Sequence, residues 1–422
     1  MFSKRNCILI ILLFAYLIGF TQETIVPFFK GGIKANRDKQ YNNLVNNTIR
    51  KNLSFPLSDS TEDKWQAAFD ASGFIKYKDP FLADCIQTTF SKWNNLSDDF
   101  KISTLELING AYPSIFSTEI YATLNSSNAK IFAISSAYLL NSDSNHLYKN
   151  EIKNQLNKVD SSASDSTILL CLKEELNNNS TFLSKEELKQ LLSPSFLKNN
   201  IVLYSFQRKN RDRIGMAVIR NKSGNFITDS TGSIFSVPQF ARSISNLPYF
   251  ISRGNTPQGI FKMKGRAVSK SYNIGPTPNI QLAMPFESKI QMFLGDSTIK
   301  DSIWTEKLYA SLLPENLKNK FTLYQSFYAG KLGRTEIIAH GTTVNPEYYK
   351  GESYYPHTPS EGCLSTVERW SEENGKRIFS NQQKLADIFG NLGGAIGYCF
   401  VIELNDKETD VTLDEILSLL NE

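Results

Sequence analysis

Histidine and cysteine, the residues that most often serve as metal ligands or as nucleophile and base, are scarce in this sequence. Its 422 residues include three histidines and five cysteines. They form neither the closely spaced set that a zinc site needs nor a C-x-x-C pair, so the sequence predicts no metal site. The cysteines are also too sparse for a disulfide framework. A Gly-x-Ser-x-Gly elbow is missing, which argues against an α/β-hydrolase.

An excess of either charge is missing too. Lysine and arginine number 46 against 42 aspartate and glutamate residues, a formal net charge of +4. That balance provides no basic surface of the kind that nucleic-acid-binding proteins use, so no nucleic-acid partner is expected. Hydrophobic residues make up 41% and charged residues 21%, which is typical of a globular protein and excludes a disordered chain. The length predicts about two or three domains.

The sequence lacks the repeated long apolar segments of a multi-span membrane protein. Its N-terminal apolar run covers residues 7–20, fourteen residues, whereas a membrane-spanning helix needs about twenty. The run follows Lys4 and Arg5 and has the length of a signal-peptide core. The pattern of residues 1–22 therefore predicts a signal peptide that is cleaved near residue 22. It also predicts export of the protein to the periplasm or cell envelope. An uncleaved N-terminal anchor is the alternative.

The next part of the chain carries no recognisable chemistry. Residues 23–60 are rich in asparagine, lysine and serine and are expected to form a linker or a loosely packed lead-in. In residues 61–197, named here the helical module, apolar residues recur at helical spacing. Ser184 and Glu187 form a capping box at the start of one helix. Because no ligands cluster there, this all-α module is expected to be a spacer or to bind an unidentified partner.

Near residue 200 the apolar pattern changes to short β-branched and aromatic runs. Residues 201–206 and 214–219, joined by a charged turn, are typical of a β-hairpin. Further strands are predicted for residues 280–284, 336–339 and 398–404. Residues 200–405, named here the β domain, are expected to be mostly β and sandwich- or barrel-like, with residues 406–422 a terminal helix packed on the sheet. The predicted fold class is α+β multidomain.

Two of the three histidines, His340 and His357, lie shortly before Cys363. His340 ends a strand-like run, which would place its side chain at a sheet edge, and Cys363 follows Gly362 in a tight turn. A free thiol is mostly protonated near neutral pH because its pKa is about 8.5. A neighbouring imidazole can take the proton and stabilise the thiolate as an ion pair. The N–H groups around Gly362 and Cys363 can then bind an oxyanion.

The order of these residues matches a known catalytic motif. His340-Gly341-Thr-Thr, then Ser360-Glu361-Gly362-Cys363, resembles the motif of the L,D-transpeptidases, the family with a YkuD-like catalytic domain. An upstream segment, Asn-Thr-Pro-Gln-Gly-Ile-Phe at residues 255–261, is similar to the Thr-Pro-x-Gly-x-Phe stretch of these domains. The resemblance spans roughly residues 200–404, about half of the chain. It implies that Cys363 is the nucleophile and His340 the general base.

The sequence departs from the family pattern at two positions. Glu361 stands where the family has a histidine, and Ser365 where it has a polar or basic residue. A carboxylate at position 361 would repel the tetrahedral intermediate unless it points away or pairs with a cation, which leaves the acceptor and the catalytic strength open. His357 either takes the place of the missing histidine or is a loop residue without a role. Gly341 is expected to orient His340 through its carbonyl, and Ser360 to hold the turn.

Residues 342–359, named here the tyrosine loop, connect the histidine to the cysteine turn. Three prolines forbid a continuous helix in this loop. Long loops in compact domains are often binding loops or lids. The paired tyrosines, which include Tyr354 and Tyr355, either pack on a bound peptide or form the small core of the loop itself.

The resemblance implies an exported enzyme of peptidoglycan biosynthesis that needs no cofactor. Cys363 would attack a donor tetrapeptide stem between its third residue and the terminal D-alanine, forming a thioester. An acceptor amine from a neighbouring stem would resolve that thioester into an L,D cross-link. Two alternatives remain open: an L,D-carboxypeptidase, in which water resolves the thioester, and a non-catalytic protein that binds the cell wall.

Overall fold

The structure is a computed structural model that describes residues 26–142, 147–159, 163–177 and 182–420. The expected signal peptide, residues 1–22, lies outside the described residues. Within these ranges, every helix is too short or too polar to cross a bilayer.

The segment expected to be a linker or a loosely packed lead-in contains helices. It comprises α1 Lys34–Asn43, a π-helical stretch Leu44–Arg50 and α2 Lys51–Leu53. Ile49 and Leu53, four residues apart, are buried in the core. These residues are thus helical and partly packed, because a few apolar contacts compensate for the polar, asparagine-rich composition around them.

The helical module is all-α in its described residues, as predicted. Its helices are α3 Glu62–Phe74, α4 Pro80–Ser91, α5 Asp98–Ala111, α6 Ser117–Thr123, α7 Ala129–Ser142, α8 Leu147–Leu156, α9 Ala163–Asn177 and α10 Lys185–Leu192. The predicted capping box of α10 is confirmed: Glu187 N donates to Ser184 Oγ (3.2 Å) and Ser184 N to the Glu187 carboxylate (2.8 Å).

The β domain is built on one mixed sheet. Its strands are β1 Ile201–Gln207, β2 Gly215–Arg220, β3 Ser236–Gln239, β4 Gly259–Ala267, β5 Asn279–Ala283, β6 Ile338–Gly341, β7 Leu364–Thr366, β8 Glu368–Trp370, β9 Arg377–Ser380 and β10 Ile396–Glu403. Eight strands form the sheet in the order β3-β2-β1-β10-β4-β5-β6-β7, while β8 and β9 form a separate ribbon. The predicted hairpin is confirmed as the antiparallel pair β1 and β2. The helices of the β domain are α11 Ile290–Leu294, α12 Glu306–Ala310, α13 Gln325–Lys331 and α14 Asn381–Asn391.

The two ends of this sheet almost meet. Phe240, which directly follows β3, and Ser365 in β7 exchange two backbone hydrogen bonds of 2.8 Å. Further along, Ile244 N donates to Ser360 O at 2.8 Å. The sheet is therefore a nearly closed barrel, and its seam runs beside the residues just before β7. The α+β fold with a barrel-like sheet is confirmed.

The terminal helix α15, Leu413–Leu420, lies within residues 406–422, for which a helix was predicted. Its buried residues Ile416 and Leu419 belong to the main core, and its principal helix neighbour is α10. Glu415 forms an ion pair with Arg208, at the end of β1, with N···O 2.5 Å. Helix α15 therefore packs against α10 and contributes to the core that the sheet also lines.

The helical module and the β domain share one hydrophobic core, which extends from Ile49 to Leu419. The module also holds the tyrosine loop. Tyr349 donates its hydroxyl to Phe74 O at the end of α3 (2.6 Å), and Lys76 forms an ion pair with Glu352 (2.6 Å). The loop that links the predicted base to the predicted nucleophile is thus fixed by contacts with the module.

Candidate functional site

His340 lies inside β6 rather than after its end, because the strand extends two residues further than predicted. Its side chain is buried, with 5% of the residue surface exposed. Nδ1 lies 2.5 Å from the carbonyl oxygen of Gly341, so Nδ1 carries the donated proton and Nε2 has a free lone pair. Burial lowers the pKa of His340 below its ordinary 6.5, which leaves a neutral imidazole at neutral pH.

Cys363 directly precedes β7, which pairs with β6 in parallel. In that register Ala339 faces Leu364 and His340 faces Ser365. Cys363 itself lies just outside the strand. The structure therefore places the predicted nucleophile at the start of the strand that pairs with the one holding the predicted base. Between described residues, no hydrogen bond joins the two side chains.

The thiol of Cys363 is hydrogen-bonded elsewhere. Sγ donates to the backbone carbonyl of Glu336 at 3.6 Å. Burial raises the pKa of Cys363 to about 11, although the Ile338 amide and the Arg334 charge oppose that rise. The raised pKa of Cys363 favours a protonated thiol, and His340 is neutral. In the resting state this favours a neutral thiol and imidazole in place of the ion pair expected from the sequence.

Glu336, whose carbonyl accepts the thiol, has a left-handed backbone with φ of 61°. That conformation is strained for a residue with a side chain. Glu287 stabilises it, because the Glu336 amide donates to the Glu287 carboxylate at 3.0 Å. The turn before β6 is thereby held with its carbonyl directed at the sulfur.

Arg334 is a residue of this site that the sequence analysis missed. Its buried guanidinium donates to the backbone carbonyls of Gly254 (2.8 Å) and Asn255 (3.0 Å), and also to that of Tyr249. Burial lowers the pKa of Arg334 to about 10, so the group remains charged at neutral pH, and its attraction to Cys363 lowers the pKa of that thiol. No local pattern identifies Arg334, because all three of its acceptors are about eighty residues away in sequence.

Residues 360–363, named here the cysteine turn, are held by Ser360. Its hydroxyl accepts from the Gly362 amide (3.2 Å) and donates to the Cys363 carbonyl (2.9 Å). The Gly362 amide is therefore engaged and is not a free oxyanion donor, which corrects one expectation for that residue. Gly362 has φ of +105°, and a Cβ there would clash with the Arg334 guanidinium. Only glycine fits this position.

The upstream Thr-Pro-Gln-Gly segment lies against the same turn. Thr256 Oγ1 donates to the carbonyl of Gly362 at 2.9 Å, and Thr256 N donates to Ala241 O at 3.0 Å. Gly259, with φ of +121°, closely approaches Ser326, whose Oγ would lie 2.5 Å from an added Cβ. Two segments that are about one hundred residues apart in sequence thus meet at the cysteine turn.

The two residues that depart from the family pattern differ in burial: Glu361 is exposed and Ser365 is buried. Glu361 is exposed and lies 3.8 Å from the Nε of Arg253, so the carboxylate has a cationic neighbour. Ser365 is buried, and its hydroxyl donates to the carbonyl of Thr358 at 3.0 Å. Ser365, which stands at the polar or basic position of the family pattern, therefore supports the tyrosine loop.

Most of the tyrosine loop's aromatic side chains face its own core. Tyr354 is buried in a small cluster with Ile214, Phe240 and Tyr349, whereas Tyr355 is 42% exposed and donates its hydroxyl to Glu347 at 2.8 Å. Of the two alternatives for these tyrosines, the loop core applies to Tyr354, and its predicted substrate contact is corrected accordingly.

His357 packs in the same region. Its ring lies 5.8 Å from that of Phe240, and Nε2 is buried without a partner among described residues. Burial lowers the pKa of His357 to about 4, so its imidazole is neutral at neutral pH. The structure therefore places His357 in the core of the loop instead of in the gap left by the family histidine.

A separate cavity of about 460 Å³ lies where α1, the residues after α3 and the tyrosine loop meet. Its lining includes the cations Arg37, Lys76 and Lys78 but neither Cys363 nor His340. This cavity is distinct from the cysteine turn.

In the described ranges, no three histidine, cysteine, aspartate or glutamate side chains are grouped to hold a metal ion. The thiols of Cys85, Cys171, Cys363 and Cys399 are free. The site therefore consists of one partly exposed cysteine, one buried histidine and one buried arginine. The chain matches no protein-family model, no curated protein and no solved structure.

Proposed function

We propose that this protein is an exported, cysteine-dependent L,D-transpeptidase that acts on peptidoglycan stem peptides. The observation that carries the proposal is the parallel pairing of β6, which holds His340, with β7, which Cys363 directly precedes. The bonds of Arg334, Ser360 and Thr256 support it, because they brace the turn that presents the sulfur. The motif resemblance supplies the substrate class.

In the proposed acylation, the Cys363 side chain rotates away from the Glu336 carbonyl toward Nε2 of His340. Nε2 accepts the thiol proton while sulfur attacks the carbonyl between the third stem residue and the terminal D-alanine. The S–C bond forms and the C–N bond breaks. His340 then donates the proton to the leaving amine of D-alanine.

Arg334 has an electrostatic role in this step. Negative charge develops on sulfur as its proton leaves, and a fixed cation in a buried environment stabilises that charge more strongly than it would in water. Because Arg334 is held by three backbone carbonyls, its charge is already in place before the reaction. The cost of reorganising the site is correspondingly small.

In the second step, an acceptor amine attacks the thioester. A C–N bond forms, the C–S bond breaks, and the amine proton returns to the sulfur through His340. The product is an L,D cross-link. If water is the acceptor, the same intermediate gives a trimmed stem, which is the carboxypeptidase alternative.

Product analysis tests the proposal. Mass spectrometry of digested muropeptides after incubation with the protein should reveal L,D-linked dimers, and Cys363→Ala should abolish them. Cys85→Ala, which removes another free thiol, is the matched control and should leave the products unchanged. Trimmed monomers would identify a carboxypeptidase. Unchanged muropeptides, with no covalent labelling of Cys363 by a carbapenem, would indicate a wall-binding protein and contradict the proposal.

A further inference from the structure

Helix α5 of the helical module packs directly on the β domain beside the cysteine turn. Gly110, near the end of α5, has no room for a Cβ because the carbonyl of Ile244 lies against it. Ile244 itself donates its amide to Ser360 O at 2.8 Å. Only one segment of chain therefore separates α5 from the turn that carries Cys363.

Glu106 lies one helical turn before Gly110, so both residues share the face of α5 that is directed at the β domain. The Glu106 side chain is half-buried. Within the described residues, its carboxylate has neither a hydrogen-bond partner nor an ion-pair partner. A carboxylate in such a position is costly unless a cation or a proton neutralises it.

The charged groups near Glu106 lie on four different parts of the chain. Lys130 of α7 and Arg253 of the β domain attract its charge, whereas Asp70 of α3 and Glu361 of the cysteine turn repel it. Asp70 is held by Ser103 Oγ at 3.0 Å.

Arg253 is an electrostatic neighbour of Glu106, and its Nε lies 3.8 Å from Glu361. Carboxylates of the helical module therefore lie near one cation and one carboxylate of the β domain. Burial raises the pKa of Glu106 to about 7, so a bound cation would favour its ionised form.

We propose that Glu106 recognises the primary ammonium of the acceptor peptide and so determines acceptor specificity. This inference rests on the proposed function and deepens it, because it makes the helical module one side of the acceptor site. An ammonium group would supply the direct ion-pair partner that Glu106 does not have among the described residues. Arg253 remains available to repel a misplaced cation or to meet a peptide carboxylate.

Direct binding tests this role without requiring catalysis. In a Cys363→Ala background, titration calorimetry measures binding of a lysine-containing stem peptide and of the same peptide with its side-chain amine acetylated. We expect Glu106→Gln to weaken binding of the amine peptide about tenfold, as for loss of one charge-assisted contact. We expect binding of the acetylated peptide to be unaffected by the substitution. Binding of the amine peptide should also strengthen from pH 6 to pH 8 only when Glu106 is present.

The matched control is Asp99→Asn, an exposed carboxylate on the same helix. Equal binding of the amine peptide by Glu106→Gln and by the parent, or equal weakening by Asp99→Asn, would overturn the inference. The proposed function is tested separately by acylation of wild-type Cys363. If wild-type Cys363 is acylated but Glu106→Gln binds the amine peptide as the parent does, only the role of Glu106 is rejected. If Cys363 is not acylated but binding of the amine peptide depends on Glu106, the enzymatic function is rejected and the ammonium site is retained.

Discussion

The thiol of Cys363 donates to the backbone carbonyl of Glu336, 3.6 Å away, and not to His340. The predicted nucleophile therefore contacts a strained backbone segment, while the predicted base donates to the Gly341 carbonyl. Each side chain has its own backbone acceptor. We therefore expect the resting thiol to be protonated.

The pH dependence of alkylation tests the protonated thiol. Because burial raises the pKa of Cys363 to about 11, reaction of this thiol with iodoacetamide should be slow at pH 7 and should accelerate up to pH 10 and beyond. Peptide mass spectrometry can follow Cys363 apart from the other cysteines. Rapid alkylation below pH 8 that disappears in His340→Gln would instead demonstrate a resting ion pair.

The base should titrate below the ordinary range of histidine. Burial lowers the pKa of His340, so the active neutral form persists below pH 6.5, and the acid limb of kcat/KM should lie under that value. Neutral His340 also contributes to the stability of the fold. This contribution is fully present above the ordinary pKa of 6.5 and is lost as the pH falls through the lowered pKa of the folded state, because the unfolded state binds the proton more readily. His340→Gln should lower kcat/KM about 10²–10⁴-fold. An acid limb above pH 7 would contradict the assigned environment.

Replacement of Arg334 separates charge from packing. Arg334→Met removes the cation and leaves buried carbonyls unpaired, so we expect a loss of about 3 kcal/mol in unfolding free energy. We also expect about tenfold slower alkylation of Cys363 at a fixed pH, equivalent to a rise of one pKa unit. Arg334→Lys keeps the charge but not the planar donor set. It should recover the alkylation rate more fully than the stability, and equal rates in all three proteins would exclude an electrostatic role.

Two glycines with similar backbones form a matched pair. Gly362 and Gly351 have φ of +105° and +93°, but an added Cβ clashes with Arg334 only at Gly362, whereas Gly351 has open space. Gly351→Ala should cost about 1–2 kcal/mol of unfolding free energy from backbone strain alone. Gly362→Ala adds overpacking of about 1–3 kcal/mol and should abolish acylation. Comparable denaturation midpoints for the two variants would show that the contact with Arg334 is not tight.

The features that were predicted correctly depend on neighbouring residues. The capping box at Ser184 and the hairpin of β1 and β2 are encoded within a few positions, so their patterns suffice. The same holds for Ser360, whose hydroxyl reaches only two and three residues along the chain. His340 and Cys363 were selected from local motifs, and the strand that holds His340 pairs with the strand that Cys363 directly precedes.

The features that were missed depend on distant contacts. Arg334 donates hydrogen bonds to carbonyls in residues 249–255. Ile49 is buried in the core, although the residues around it are mostly polar and do not predict a packed helix. The burial of Ser365 and Tyr354 follows from closure of the barrel at Phe240, which no local pattern encodes. Acceptors, packing partners and burial of this kind are determined by the tertiary fold.

Intact-protein mass spectrometry during reaction with a tetrapeptide stem tests the central claim most directly. The wild-type protein should gain the mass of the stem without its terminal D-alanine, and peptide mapping should place the adduct on Cys363 as a hydroxylamine-sensitive thioester. His340→Gln should slow its formation, and Cys363→Ala should eliminate it. A wild-type protein that processes the stem while Cys363 remains unmodified, at the same rate as Cys363→Ala, would contradict the account.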